Sequence, residues 1–161
     1  MCFVYSIEKY YLFLWHVNCF TWSDILIDIT LMKKIITFGT FDVFHVGHLH
    51  ILQRAKRLGD WLAVGVSSDA LNFHKKGRYP VYDESDRMSI IAGIKYVDEV
   101  FLEVSLELKA DYIKKYNADM LVMGDDWKGK FDNFSSLAEV IYLERTPSIS
   151  TTSLIEIIKK R

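Results

Sequence analysis

From Met32 onward, the sequence alternates short β-branched or apolar runs with stretches of helical periodicity. The first run, residues 35–38, reads Ile-Ile-Thr-Phe between two lysines and a glycine, which is typical of a buried strand. Four more runs predict strands at 61–66, 97–102, 120–123 and 140–143, and helices are predicted over 47–58 (with Gly59 as its C-cap), from Asp83 onward, over 108–116 and over 150–160. This order predicts an α/β fold: a single Rossmann-like domain whose five-stranded parallel sheet carries helices on both faces.

The composition excludes several classes of protein. A length of 161 residues suits one domain, and a chain that is half apolar and one quarter charged is not disordered. With 20 basic and 21 acidic residues, the formal net charge is −1, so no overall field attracts nucleic acid or anionic lipid. Any phosphate binding must therefore come from a local site, and we expect small-molecule partners and no nucleic acid.

Residues 1–31 differ from the rest, and we treat them as an atypical N-terminal extension ahead of a domain at 32–161. They hold both cysteines, Cys2 and Cys19, and their apolar stretch of about 13 residues is shorter than the roughly 20 that span a bilayer. Stable membrane insertion is therefore not expected, and two cysteines fit a reducing, cytoplasmic location. The segment is either an interfacial or partner-binding element, or the result of a miscalled start. We favour the second because Met32-Lys33-Lys34 leads directly into the first strand.

The loop after the first predicted strand carries the chemistry. It contains Gly39 and Gly47, which allow a tight turn and the close approach of a ligand, and it ends where a helix begins. The free N–H groups of a helix N-terminus bind anions. Two imidazoles, His45 and His48, flank Gly47 and can donate hydrogen bonds to phosphate oxygens. The sequence therefore predicts a phosphate-binding site in this loop.

Three ordered motifs carry a family resemblance. Gly39-Thr40-Phe41-Asp42 followed by His45-Val46-Gly47-His48 resembles the signature of the H-x-G-H nucleotidyltransferase superfamily. Residues 123–132 and 145–152 resemble the corresponding stretches of the glycerol-3-phosphate cytidylyltransferase family, and the similarity extends from Met32 to about Ile158. The resemblance implies an enzyme that transfers a cytidylyl group from CTP to sn-glycerol 3-phosphate. The products would be pyrophosphate and CDP-glycerol, a precursor for teichoic-acid-like or capsular polymers.

The resemblance also implies site residues. His45 and His48 would be catalytic and would contact the CTP phosphates, while Asp42 would organise the loop. The nucleotide-binding residues would be Thr40, Phe41, Gly47, Arg78, Arg145, Thr146, Ile149, Ser150, Thr151 and Thr152, and the acceptor-binding residues would be Lys75, Lys76 and Lys109. From the residues alone, we interpret 75–78 as a basic surface loop after the second strand, and Lys109 as a surface residue of a helix.

The resemblance further implies Mg²⁺ brought with CTP, and a homodimer. His45, His48 and His50 do not form an obvious zinc site, because no cysteine or carboxylate nearby completes a tetrahedral set. Asp125 and Asp126 either order the site or help to hold Mg²⁺, so we predict no protein metal ligand.

Two alternatives remain open from the sequence. The acceptor could be phosphoethanolamine, phosphocholine or another polyol or sugar phosphate, and the nucleotide could be ATP, which would make the chain an adenylyltransferase. The chain could also be a nucleotide-binding regulator without turnover, although an intact His45-x-Gly47-His48 motif argues against this.

Overall fold

The computed structural model describes residues 32–147 and 149–161. The predictions for residues 1–31, including the two cysteines and the proposed miscalled start, lie outside the described residues. Within the described residues, no helix is both long enough and apolar enough to cross a bilayer.

The predicted strands and helices are present, with ends within two residues of their predicted bounds. The strands are β1 (Lys34–Gly39), β2 (Trp61–Ser67), β3 (Glu99–Glu103), β4 (Met120–Gly124) and β5 (Glu139–Leu143). The helices are α1 (Val46–Lys56), α2 (Asp69–Lys76), α3 (Glu84–Ala92), α4 (Lys109–Tyr116) and α5 (Thr151–Lys159). Two short 3-10 turns, Asp125–Trp127 and Asp132–Phe134, lie between β4 and β5.

The five strands form one sheet in the order β3-β2-β1-β4-β5, and every neighbouring pair is parallel. Central β1 pairs with β2 on one side and with β4 on the other, so that Ile36 lies between Ala63 and Leu121. The predicted fold class is confirmed. The strand order reverses between β1 and β4, and in open parallel sheets this point leaves a crevice at the carboxyl ends of the strands.

Alternate residues of β1 supply the two faces of the core, as expected from the two-residue period of a strand. Ile35 packs on one face with Leu52 of α1 and Ile91 of α3. Ile36 packs on the other face with Ile113 of α4 and with Phe131. Both faces of the sheet are therefore covered, and the site can form only at its edge.

Two local predictions were wrong. Gly59 does not cap α1, because the cap residue is Arg57. A Cβ atom at Gly59 would lie 2.5 Å from the carbonyl oxygen of Lys33, so this glycine permits close contact with the start of β1. In addition, Lys75 and Lys76 do not lie in a loop but in the last turn of α2, which ends at Gly77 in the left-handed conformation (φ 65°).

Candidate active site

A cavity of about 580 Å³ opens at the carboxyl ends of β1 and β4. Its wall includes every residue that the sequence assigned to the site, namely Thr40, Phe41, His45, Gly47, His48, Lys75, Lys76, Arg78, Lys109, Arg145, Thr146, Ile149, Ser150, Thr151 and Thr152. The fold thus brings these residues together from five separate segments of the chain. Their individual roles stay predictions.

The loop between β1 and α1 has a strained backbone that Asp42 stabilises. Phe41 (φ 52°) and Val43 (φ 44°) lie in the left-handed region, which is costly for a β-branched residue. The buried Asp42 carboxylate accepts hydrogen bonds from the N–H groups of Val43, Val81 and Tyr82, as the predicted loop organiser would. The hydroxyl of Thr151 donates to the Asp42 carbonyl at 2.9 Å. The loop is therefore connected to both the segment before α3 and the start of α5.

His45 caps α1 with its side chain. Its Nδ1 accepts a hydrogen bond from the Gly47 N–H at 3.1 Å, so in the neutral ring the proton lies on Nε2. A Cβ atom at Gly47 would lie 2.8 Å from His45 Cε1 and 3.1 Å from Ile149 Cγ2. Gly47 is therefore needed for the close approach of the imidazole and of the segment before α5.

His48 is a neutral, largely enclosed imidazole. Its ring stacks on that of His45, with centroids 3.9 Å apart, and it also contacts the rings of Phe41 and Phe44. Burial lowers the pKa of His48 to about 4, and the neighbouring His45 lowers it further while Asp42 opposes the shift. Within the described residues, His48 Nδ1 is buried and has no hydrogen-bond partner. Nε2 is therefore the nitrogen that can serve a ligand in the cavity.

This environment predicts an unusual titration for His48. In the nucleotide-free protein, we expect its imidazole signal in NMR to titrate with a midpoint near 4 rather than 6.5, because the cavity disfavours the charged ring. The unfolded chain then binds more protons, so His48 lowers the free energy of unfolding as the pH falls from 6.5 towards 4. Nucleotide phosphates should raise the midpoint. A midpoint near 6.5 without nucleotide would contradict the burial of this ring.

The cationic groups line two parts of the cavity. Lys76 and Arg78, both exposed at its rim, flank Gly77, and the charge of Lys76 acts on Asp42 and His48. Lys75 is half-buried, and its charge interacts with Glu103. The one-residue ambiguity between Lys75 and Lys76 therefore has a structural answer: both line the cavity, but Lys75 belongs to the end near Glu103.

Lys109 lies at that same end and is not the surface residue that its sequence context indicates. Its side chain is 1 % exposed and pairs with Glu103, which is equally buried. The Lys109 Nζ lies 3.6 Å from the centroid of the Phe38 ring. Burial lowers the pKa of Lys109, and Glu103 opposes this shift. The first turn of α4 therefore faces the cavity and not the solvent.

The sequence analysis missed Arg87, which joins four parts of the site scaffold. Its fully buried guanidinium donates to the carbonyl oxygens of Thr40, Ser67 and Tyr82, and it pairs with Asp69 at 2.5 Å. One signal was available, because Arg87 precedes the buried Ile91 by four residues and thus shares its helix face.

Asn72 is a second buried polar residue that the sequence analysis missed. Its amide nitrogen donates to the carbonyl oxygens of Ser67 and Ser68, and its oxygen accepts from the Thr40 hydroxyl at 2.6 Å. Helix α2 is thereby connected to the same loop that carries the two histidines.

The described residues contain no group of three or more histidines, cysteines, aspartates or glutamates close enough to hold a metal ion. His50 is not among the residues of the cavity wall, whereas Asp126 is. A divalent cation at this site would therefore depend largely on ligands supplied by a bound nucleotide.

Comparison with known proteins points in one direction. A family model described as cytidylyltransferase-like matches residues 36–157. The chain is 50 % identical over 126 residues to the glycerol-3-phosphate cytidylyltransferase of Bacillus subtilis, which covers 78 % of this chain and 96 % of that protein. It is 44 % identical over 125 residues to the enzyme of the same name from Staphylococcus aureus, covering 76 % and 92 %. A lipopolysaccharide core biosynthesis protein from Thermoplasma volcanium has a similar fold, with a TM-score of 0.64, 26 % identity and coverage of 71 % and 98 %.

Proposed function

The chain belongs to the cytidylyltransferase-like family, and on that premise we propose that it transfers a cytidylyl group from CTP to sn-glycerol 3-phosphate. The products are CDP-glycerol and pyrophosphate. Two relatives that are 44–50 % identical over nearly their whole length are named for this reaction, which supports both the nucleotide and the acceptor.

The observation that carries the proposal is the arrangement of donors around one cavity. Two neutral imidazoles, the N-terminus of α1 and the N-terminus of α5 all face it, together with a cationic rim. Helix N-termini and cations bind a polyphosphate. A separate lysine pair, Lys75 and Lys109, lies around Glu103, and this gives a second anionic group a place of its own.

The chemistry needs no protein nucleophile. An oxygen of the acceptor phosphate forms a bond to the α-phosphorus of CTP, and the bond between that phosphorus and the oxygen bridging to the β-phosphate breaks, so that pyrophosphate leaves. Because the attacking oxygen is already ionised near neutral pH, catalysis reduces to in-line positioning and stabilisation of charge.

In this scheme, His45 and His48 donate hydrogen bonds from Nε2 to the phosphate oxygens, where negative charge redistributes in the transition state. Arg145, Lys76 and Arg78 hold the triphosphate, with the hydroxyls and N–H groups of residues 150–152 at the start of α5. Lys75 and Lys109 bind the acceptor phosphate.

Mg²⁺ is part of the proposal as the CTP complex. Asp42 and Glu103 are engaged by backbone N–H groups and by Lys109, which leaves Asp126 as the carboxylate on the cavity wall that would reach the metal. When bound, the ion would neutralise charge on the leaving pyrophosphate.

The proposed cellular setting follows from the same family. We infer a cytoplasmic homodimer whose product is used in the synthesis of teichoic-acid-like or capsular polymers. Size-exclusion chromatography with light scattering measures the oligomeric state directly.

Pyrophosphate release tests the function. The purified full chain with Mg²⁺ is given CTP or ATP, each with sn-glycerol 3-phosphate, phosphocholine or phosphoethanolamine. We expect release only with CTP and glycerol phosphate. Release with another pair would overturn the assigned substrates, and nucleotide binding without release from any pair would favour the non-catalytic alternative.

Lys109→Met tests the division of the cavity. It removes one charge-assisted hydrogen bond to the acceptor, so we expect KM for glycerol 3-phosphate to rise about 10- to 100-fold while KM for CTP changes little. Steady-state kinetics with each substrate varied in turn gives both values.

Two further variants complete this test. Lys114→Met removes an exposed lysine of the same helix and should leave both constants unchanged. The double variant Lys109→Met/Glu103→Gln avoids a buried, unpaired carboxylate, and it should retain the weakened acceptor binding. An equal rise in both KM values would show that Lys109 does not act on the acceptor.

A further inference from the structure

Glu103 is an acidic residue in the part of the cavity that the proposed function gives to an anion. It ends β3, its side chain is 1 % exposed, and it forms part of the cavity wall. One carboxylate oxygen pairs with Lys109, and the other accepts a hydrogen bond from the Ser67 hydroxyl at 2.7 Å. Its negative charge also interacts with Lys75 of α2.

A carboxylate there has an electrostatic purpose because Lys109 is placed in surroundings that disfavour its charge. Its Nζ lies 3.6 Å from the centroid of the Phe38 ring and 5.1 Å from that of Phe131. Burial is the largest cause of the lowered pKa of Lys109, the charge of Lys75 acts in the same direction, and Glu103 opposes both. A buried ammonium without a counterion tends to lose its proton.

Ser67 provides the support for this pair. Its hydroxyl is buried at the end of β2, next to β3, where Ser67 and Glu103 are register partners. The carboxylate is therefore held from the sheet, and it in turn holds the lysine at the start of α4. Since both members of the pair lie on the cavity wall, the pair belongs to the site and not to the interior of the core.

We propose that Glu103 is the positioning residue of the acceptor subsite: it keeps Lys109 protonated and directed into the cavity until the phosphate of a phosphorylated alcohol arrives. This rests on the proposed function for the place of the acceptor. The dianionic phosphate then supplies the negative charge for Lys109 and Lys75, so the subsite selects acceptors by their phosphate. The groups that face Lys109 are Glu103 from β3 and Lys75 from α2, with Phe38 and Phe131 completing its surroundings.

Glu103→Gln tests this proposal because it keeps the size of the side chain and removes its charge. The measured quantity is KM for glycerol 3-phosphate in the variant divided by that in the wild type, from pH 6.5 to 8.5. The ratio cancels the titration of the substrate and of the histidines. Without its counterion, Lys109 deprotonates at lower pH, so we expect the ratio to grow with pH and to reach about tenfold. The corresponding ratio for CTP should stay flat.

Matched variants separate positioning from a structural role. Ser67→Ala removes the other partner of Glu103 but keeps its charge, and Glu103→Asp keeps the charge on a shorter side chain. Both should give an acceptor ratio that does not change with pH. An acceptor ratio that is flat for Glu103→Gln, or one below one, would overturn the proposal.

A second measurement is independent of turnover. In protein labelled with ¹³C at lysine Cε, the NMR signal that disappears in Lys109→Met belongs to Lys109, and its titration midpoint should be lower in Glu103→Gln than in the wild type. An unchanged or higher midpoint would contradict the proposal. Release of pyrophosphate with a different phosphorylated alcohol would overturn the assigned acceptor alone, because the ratio can be measured with that alcohol instead.

Discussion

Replacement of His48 with alanine is expected to lower kcat about a hundredfold or more, which is the scale of losing one transition-state hydrogen-bond donor. His48 Nε2 is the nitrogen that can face the cavity, since Nδ1 is buried. The ring is neutral near pH 7 because burial lowers its pKa to about 4. It therefore acts as a preorganised donor and has little charge with which to bind CTP in the ground state. The loss should fall mainly on kcat in pyrophosphate-release kinetics, with a smaller change in KM for CTP.

The control for this variant lies on the same helix. His50 belongs to α1 but not to the cavity wall, so His50→Ala should keep the wild-type kcat. The thermal midpoint of His48→Ala shows whether the fold persists, because its ring also packs against Phe41 and Phe44. A folded His48→Ala enzyme with nearly wild-type turnover would remove His48 from the catalytic machinery.

The parts of the fold that could be predicted are those with a local signal. The run Ile35-Ile36-Thr37-Phe38 is β-branched and apolar because β1 is the central strand and is buried on both faces. The sequence from Asp83 to Asp86 predicted the start of α3 because the Asp83 side chain accepts from the Asp86 N–H as an N-cap. Such signals depend on neighbours within a few residues.

Helix α2 was missed because its buried face does not look apolar. It is eight residues long, and its buried residues are Leu71 and Asn72. Asn72 is buried only because Thr40 and the end of β2 supply its hydrogen-bond partners. The Ser68 cap was the available local signal, and without a hydrophobic stripe it is weak.

The site divides in the same way. The glycines and histidines of the loop after β1 lie within ten residues of one another, so their grouping could be predicted from spacing. The partners of Glu103 and Arg87 could not, because Ser67 is 36 residues away from Glu103 and Thr40 is 47 residues away from Arg87. Charged residues are usually exposed, so only the fold reveals that these two are buried.

Arg87→Met is expected to be strongly destabilising, with a loss of about 3 kcal/mol in the free energy of unfolding. It leaves the carbonyl oxygens of Thr40, Ser67 and Tyr82 without a donor, at about 1 kcal/mol or more for each buried group. Its partner Asp69 is 27 % exposed, so the lost ion pair adds less than a fully buried one would. In thermal unfolding, the midpoint should fall by roughly 10 °C.

Two variants identify the cause of that loss. Lys56→Met breaks the partly exposed pair with Asp98, in which the separation is also 2.5 Å, and it should cost less than about 1 kcal/mol because water screens the charges. Asp69→Asn weakens the ion pair of Arg87 but keeps its bonds to the three carbonyl oxygens, so it should cost less than Arg87→Met. If Lys56→Met and Arg87→Met were equally destabilising, the ion pair alone would account for the effect, and the buried carbonyl oxygens would contribute nothing. The predicted order instead makes Arg87 the residue that fixes the carbonyl end of the histidine loop, and turnover in Arg87→Met should fall together with stability.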